Sequence, residues 1–124
     1  MKKEVQNWWK QSQSDLEKAK VLFKSKNYDG TAFFCQQTIE KAFKALHIKK
    51  FNELRKVHDL VFLGQKIGVP NPLLEFCSEL NKAYIETRYP DAHGVIPAEK
   101  FSKEDMGHLI NITEEILQWL EKQL

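Results

Sequence analysis

Apolar residues recur at three- and four-residue intervals along most of this chain, with lysine, glutamine, glutamate and serine between them. From Glu4 to about Lys26 the positions Val5, Trp8, Trp9, Leu16, Ala19, Leu22 and Phe23 keep that spacing, which gathers them on one stripe of a long helix. The tetrapeptide NYDG at 27–30 consists of turn formers, and beyond it Ala32, Cys35, Ile39, Ala42, Phe43 and Leu46 predict a second helix reaching about His47. A connection this short predicts that the two helices pack antiparallel.

The next stretch, IKKFNELRKVHD at 48–59, is basic and poorly periodic, and predicts a loop. Asp59 suits the N-cap of the short helix LVFLGQKIG, which Gly68 stops. Pro70 and Pro72 mark another helix start, followed by a stripe of Leu73, Phe76, Cys77, Leu80, Ala83 and Tyr84. Pro90 is expected to end that helix, because the residue before a proline is pushed out of the helical region. A loop with Gly94 and Pro97 leads to Ser102 and Asp105, spaced as a capping box. The last helix then carries Met106, Leu109, Ile110, Thr113, Ile116, Leu117, Leu120 and Leu124 on one face. No segment has the period of a strand. The expected fold is all-α, an up-and-down four-helix bundle with an additional short helix, built as one domain over residues 1–124.

Composition narrows the class. With 42% hydrophobic and 29% charged residues, the chain has enough apolar surface to form a core and falls outside the disordered range. It has no apolar run of the roughly 20 residues that a membrane span needs, and MKKEVQNWWK lacks a signal-peptide core. A cytoplasmic protein without membrane association is expected. Cys35 and Cys77 lie in apolar helical patterns with no CxxC and no histidine at ligand spacing, so buried free thiols are expected, with no metal, disulfide or cofactor. Residues 1–62 hold 13 Lys/Arg against 7 Asp/Glu and residues 63–124 hold 6 against 10, giving the halves +6 and −4. That asymmetry suits phosphates or an acidic protein surface, or else it is spread over solvated helix faces. Trp8, Phe33, Phe34 and Trp119 exceed what a thin bundle hides, and a homodimer would cover them.

The candidate chemistry is concentrated in TRYPDAH at 87–93, which brings Arg88, Tyr89, Asp91 and His93 together around Pro90. An imidazole titrates near neutrality and can move protons, while a guanidinium fork suits phosphate oxygens. Tyr84 precedes Arg88 by one helical turn, which either brings its hydroxyl near the cluster or leaves it a core ring with a satisfied hydroxyl, the commoner case. A structural alternative stays open: Arg88 pairs with Asp91 or Glu86 to fix the helix end, and His93 is an exposed loop residue. His58 carries the same ambiguity, between lining a nucleotide-binding groove and closing its loop. His47 and His108 have no partner at a meaningful spacing.

The pieces YDGTAFFCQQTIEKAFKAL at 28–46, HDL at 58–60 and TRYPD at 87–91, in that order, resemble the HEPN family, with the RYPD motif pointing to a subgroup. The likeness covers about residues 8–120. What it implies is a four-helix bundle, usually homodimeric and often encoded beside a minimal nucleotidyltransferase as a toxin–antitoxin pair. Many members are metal-independent endoribonucleases with an arginine, four to six residues, and a histidine. Arg88 and His93 match that spacing as catalytic residues, and His58, Tyr84, Tyr89 and Asp91 are the expected nucleotide or RNA contacts. Tyr89 and Pro90 depart from the polar residue usual after the catalytic arginine. That departure favours the alternative, a non-catalytic dimeric nucleotide-binding or protein-interaction module.

Overall fold

A computed structural model describes residues 1–124. Its elements are α1 (Lys3–Lys24), α2 (Tyr28–Phe51), α3 (Leu60–Ile67), α4 (Asn71–Glu86), α5 (Pro97–Lys100) and α6 (Lys103–Glu121). The four long helices form the bundle, α3 and α5 are short, and there is no strand. No helix is long and apolar enough to cross a membrane. At the centre stands α2, which packs against every other helix and buries residues on nearly its whole circumference, Phe43, Ile39 and Leu46 among them. It runs antiparallel to α1: Val5 packs on Ala45 and Ile48 at one end, and the Ala19 carbonyl accepts from Thr31 Oγ1 at the other.

Several ends differ from the sequence expectation. Tyr28, Asp29 and Gly30 form the first turn of α2 rather than a turn before it, so the reversal is confined to Ser25–Asn27, with Lys26 left-handed at φ 64°. The basic stretch after His47 continues α2 for a further turn, to Phe51. Tertiary partners hold that turn: Ile48 is buried, Lys49 Nζ donates to the carbonyls of Gln123 and Leu124, and Lys50 Nζ donates to the Ile67 carbonyl. Asn52 closes the helix with φ 53°, its N–H returning to the Ile48 carbonyl, a C-terminal cap that asparagine tolerates. At the other disputed end, α4 stops at Glu86, four residues before Pro90. Thr87 Oγ1 donates to the Tyr84 carbonyl at 2.6 Å there. The loop around Pro97 holds α5, which the sequence reading lacked. Trp8, Phe33, Phe34 and Trp119 are all half-buried, and Trp8 packs on the Val5 cluster while Phe34 and Trp119 pack on the main core. The exposed large apolar residues are others, among them Ile85, Tyr89 and Ile96.

Expectations that rested on local capping chemistry agree with the structure. Asp59 caps α3 by accepting from the N–H groups of Val61 and Phe62, and Gly68 ends that helix at φ 85°. Ser102 Oγ accepts from Asp105 N–H at the start of α6. Both cysteines are buried and free, and burial pushes each thiol up to about 12. The Asp59 carboxylate also accepts from Asn81 Nδ2 on α4 at 2.8 Å, which ties α3 to α4. Asp59→Ala therefore removes a cap and an interhelix bond together, and should cost about 1–2 kcal/mol in denaturant unfolding. A loss within experimental error would mean that water replaces both.

Candidate functional site

Arg88 stands just past the last turn of α4, its own N–H bonded to the Ile85 carbonyl. Its guanidinium donates to the Tyr84 hydroxyl and lies 4.6 Å from the centre of that ring. One turn of spacing thus brings Tyr84 and Arg88 together even though the helix has ended between them. Tyr84 in turn lies against Phe33 of α2, with ring centres 5.6 Å apart and planes tilted by 30°, and Phe33 meets Phe34 edge-on at 5.1 Å. The result is a ladder of aromatic faces with an exposed cation at its end. An open groove of about 500 Å³ lies beside it, lined by Asp29, Gly30, Phe33, Thr87 and Arg88.

Neither of the expected ion pairs forms: Arg88 has no carboxylate partner. A guanidinium that rests on an aromatic face, bonded to a neutral hydroxyl, keeps its full charge and most of its donors for an incoming anion. Asp91 is occupied otherwise. Its carboxylate accepts from the N–H groups of His93 at 2.8 Å and Val95 at 3.0 Å, and these backbone bonds, Val95 first, hold it below the usual carboxylate range. Together with the Gly94 N–H to Asp91 carbonyl bond and Gly94 at φ 80°, it builds a tight loop whose exposed outer residue is His93. The His93 ring has no hydrogen-bond partner of its own and does not line the Arg88 groove. Tyr89 is exposed, and its carbonyl accepts from Lys100 Nζ, as does that of Glu86, so α5 fastens segment 86–89 to the bundle. No three His, Cys, Asp or Glu side chains converge as metal ligands.

His58, in the loop before α3, lies against α2. Its Nδ1 is 2.9 Å from Oε1 of Glu40, whose other oxygen accepts from Lys44 Nζ at 3.0 Å. Lys44 also sits 5.6 Å from the centre of the Trp8 ring. The carboxylate and the ammonium are 5% and 8% exposed, so this is a buried ion pair with an exposed histidine on its rim. Burial alone would raise the Glu40 carboxyl, but the bonds from Lys44, His58 and Gln36 more than offset it and leave the group below its ordinary value. A lowered carboxyl contributes stability that is complete above the unfolded value near 4.5 and is lost as pH falls through the folded one. The melting temperature should therefore fall with pH below that range in the wild type and fall less steeply in Glu40→Gln. Parallel slopes for the two proteins would remove Glu40 from the acid response. His47 is buried and bonds the Glu53 carbonyl at 2.7 Å, and His108 pairs with Glu79 at the surface.

The sequence points to Arg88 and Tyr84 but not to Asp29, Gly30 or Thr87, which complete the groove with Phe33, nor to the partnership of Glu40 with His58; Phe33 reads there as a core or dimer-interface ring sooner than one that stacks on a base. The i, i+4 spacing of Glu40 and Lys44 was the one local signal for the buried pair.

The family model of the HEPN domain matches residues 5–123. The toxin candidate MJ1304 of Methanocaldococcus jannaschii is 30% identical over 122 residues, covering 88% of this chain and 80% of the relative. Among solved structures, TT1696 from Thermus thermophilus superposes with a TM-score of 0.89 at 28% identity, over 99% of this chain and all of that one. An archaeal HEPN homologue, ST0689, does so at 0.84 and 32% identity, over 98% of each chain.

Proposed function

This chain belongs to the HEPN family, and on that footing we propose that it binds RNA at the Arg88 groove and cleaves it without a metal ion, as the toxin of a pair whose antitoxin is a minimal nucleotidyltransferase. One observation carries the reading: the Arg88 guanidinium, seated on Tyr84 and in no ion pair, stands at the rim of an open groove whose lining also holds Asp29. The Phe33 ring in the groove lining suits a base, and the cation suits the phosphate next to that base.

Cleavage without a metal requires the ribose 2′-hydroxyl to attack the adjacent phosphorus while the 5′-oxygen leaves. One group removes the 2′-proton, another protonates the leaving oxygen, and a cation faces the charge that builds on the phosphoryl oxygens. The products are a 2′,3′-cyclic phosphate and a 5′-hydroxyl. Arg88 takes the electrostatic role. His93, unpartnered and exposed, takes a proton transfer, and a second copy of the chain supplies the other. Ile85, Tyr89 and Ile96 support that assembly: all three are exposed apolar side chains on the segments that flank Arg88 and His93, and a homodimer would cover them.

The binding half of the proposal is tested by fluorescence anisotropy with a 2′-O-methyl RNA oligonucleotide, which is bound but whose blocked hydroxyl cannot be cleaved. Wild type is expected to bind with a steep salt dependence, and Arg88→Ala to weaken binding by about tenfold or more. Equal affinity of the two proteins would remove the groove from RNA binding.

A further inference from the structure

His58 is 71% exposed, yet its ring is held in one orientation. Nδ1 meets Glu40 Oε1 at 2.9 Å, and Gln36 Nε2 donates both to that oxygen at 3.3 Å and to the His58 carbonyl at 3.2 Å. Glu40, held ionised against its burial chiefly by Lys44, can only accept, so Nδ1 carries the proton. Nε2 is left without a protein partner on an exposed ring. A buried carboxylate behind an exposed imidazole orients it.

The position of His58 connects it with Arg88. Glu40 stands seven residues along α2 from Phe33, about 10 Å, and the spacing 33, 36 or 37, 40 keeps to one helical face. The residue after His58, Asp59, is bonded to Asn81 of α4, which lies one turn before Tyr84, the residue that carries Arg88. His58, Asn81, Tyr84 and Arg88 thus follow one another along the seam between α2 and α4, and Phe33 faces Tyr84 across it. The charged groups around His58 are Glu40 and Lys44 from α2 and Asp59 at the start of α3; α4 contributes the neutral Asn81. The Asp15 and Lys41 pair belongs to the α1–α2 seam.

We propose that His58, positioned by Glu40, is a second phosphate contact, further along the RNA strand that Arg88 holds, and that it makes this contact as the imidazolium. The proposal rests on the RNA-binding reading of the Arg88 groove. With Nδ1 donating to Glu40, a second N–H at Nε2 appears only on protonation, and a neutral ring would turn a lone pair towards a phosphate oxygen. RNA affinity therefore rises as pH falls through the imidazole range.

The test is anisotropy with the 2′-O-methyl RNA at about pH 7.5 and about pH 5.5, with circular dichroism confirming the fold at both. Wild-type affinity is expected to rise about tenfold between them. His58→Gln keeps an N–H donor for Glu40 but cannot titrate, and its affinity should stay level within about twofold. His93→Ala should retain the rise. Glu40→Gln, which keeps the side-chain shape without the charge, should make the rise smaller, because the ring loses the carboxylate that orients it. A pH-independent wild type, or a full rise in His58→Gln, overturns the proposal and leaves the Arg88 reading in place if Arg88→Ala still weakens binding. If wild type binds at neither pH, both readings fall.

Discussion

Arg88→Ala should lower the rate of RNA cleavage on the order of 10²–10³-fold, the size of effect seen when one fixed electrostatic donor is removed from a developing negative charge. The melting temperature should hardly move, because Arg88 is exposed and its side chain bonds only the Tyr84 hydroxyl. Arg88→Lys should recover little of the lost rate. An ammonium keeps the charge but not the planar fork, and it stacks less well on the Tyr84 ring that holds the guanidinium in place. Measured kcat and KM distinguish the roles: loss in kcat places Arg88 at the transition state, whereas a rise in KM with kcat unchanged restricts it to binding. Full rescue by lysine would mean that only charge is needed there, and the aromatic seat would lose its purpose.

Glu40→Ala should destabilise the fold far more than Asp59→Ala. It leaves the Lys44 ammonium, 8% exposed, without a counter-charge, and it strips a bond each from Gln36 and His58. Removing one partner of a buried pair costs about 3–5 kcal/mol when the remaining charge cannot reach water, a large share of the roughly 5–15 kcal/mol that holds a domain folded. Chemical denaturation followed by circular dichroism reads this directly. Lys18 and Asp15 give the contrast: Lys18 is half-exposed at 50% and 3.4 Å from Asp15, while Lys41 already pairs with that carboxylate, so Lys18→Ala should cost about 0–1 kcal/mol. A loss below about 1 kcal/mol in Glu40→Ala would mean that Lys44 swings past Trp8 to solvent.

Helix identity and capping were legible in the sequence because their causes are local. The three- and four-residue spacing that predicts α1, α2, α4 and α6 is the spacing by which their residues enter the core, and Asp59 needed only the next three residues to act as a cap. Helix ends were harder to place where distant groups decide them. Lys49 and Lys50 look like loop residues until the carbonyls of Gln123, Leu124 and Ile67 are brought beside them, and no periodicity reports bonds formed across the bundle. The site divides the same way. Tyr84 and Arg88 are one turn apart and meet as that spacing suggests, but Phe33 and Asp29 come from α2, more than fifty positions earlier, and reach the groove only through packing. Asp91, expected as a ligand contact, has one carboxylate oxygen bonded to the loop's own backbone, as an aspartate beside a glycine turn often does.

The central claim, that the Arg88 groove belongs to a metal-independent ribonuclease, is tested most directly by the ends of its products. Purified wild type, incubated with single-stranded RNA in excess EDTA, should yield fragments bearing 2′,3′-cyclic phosphates and 5′-hydroxyls, and Arg88→Ala and His93→Ala should each suppress them. Intact RNA under those conditions, or fragments that the two variants produce as readily as wild type, would contradict the claim and leave a chain that binds without cutting.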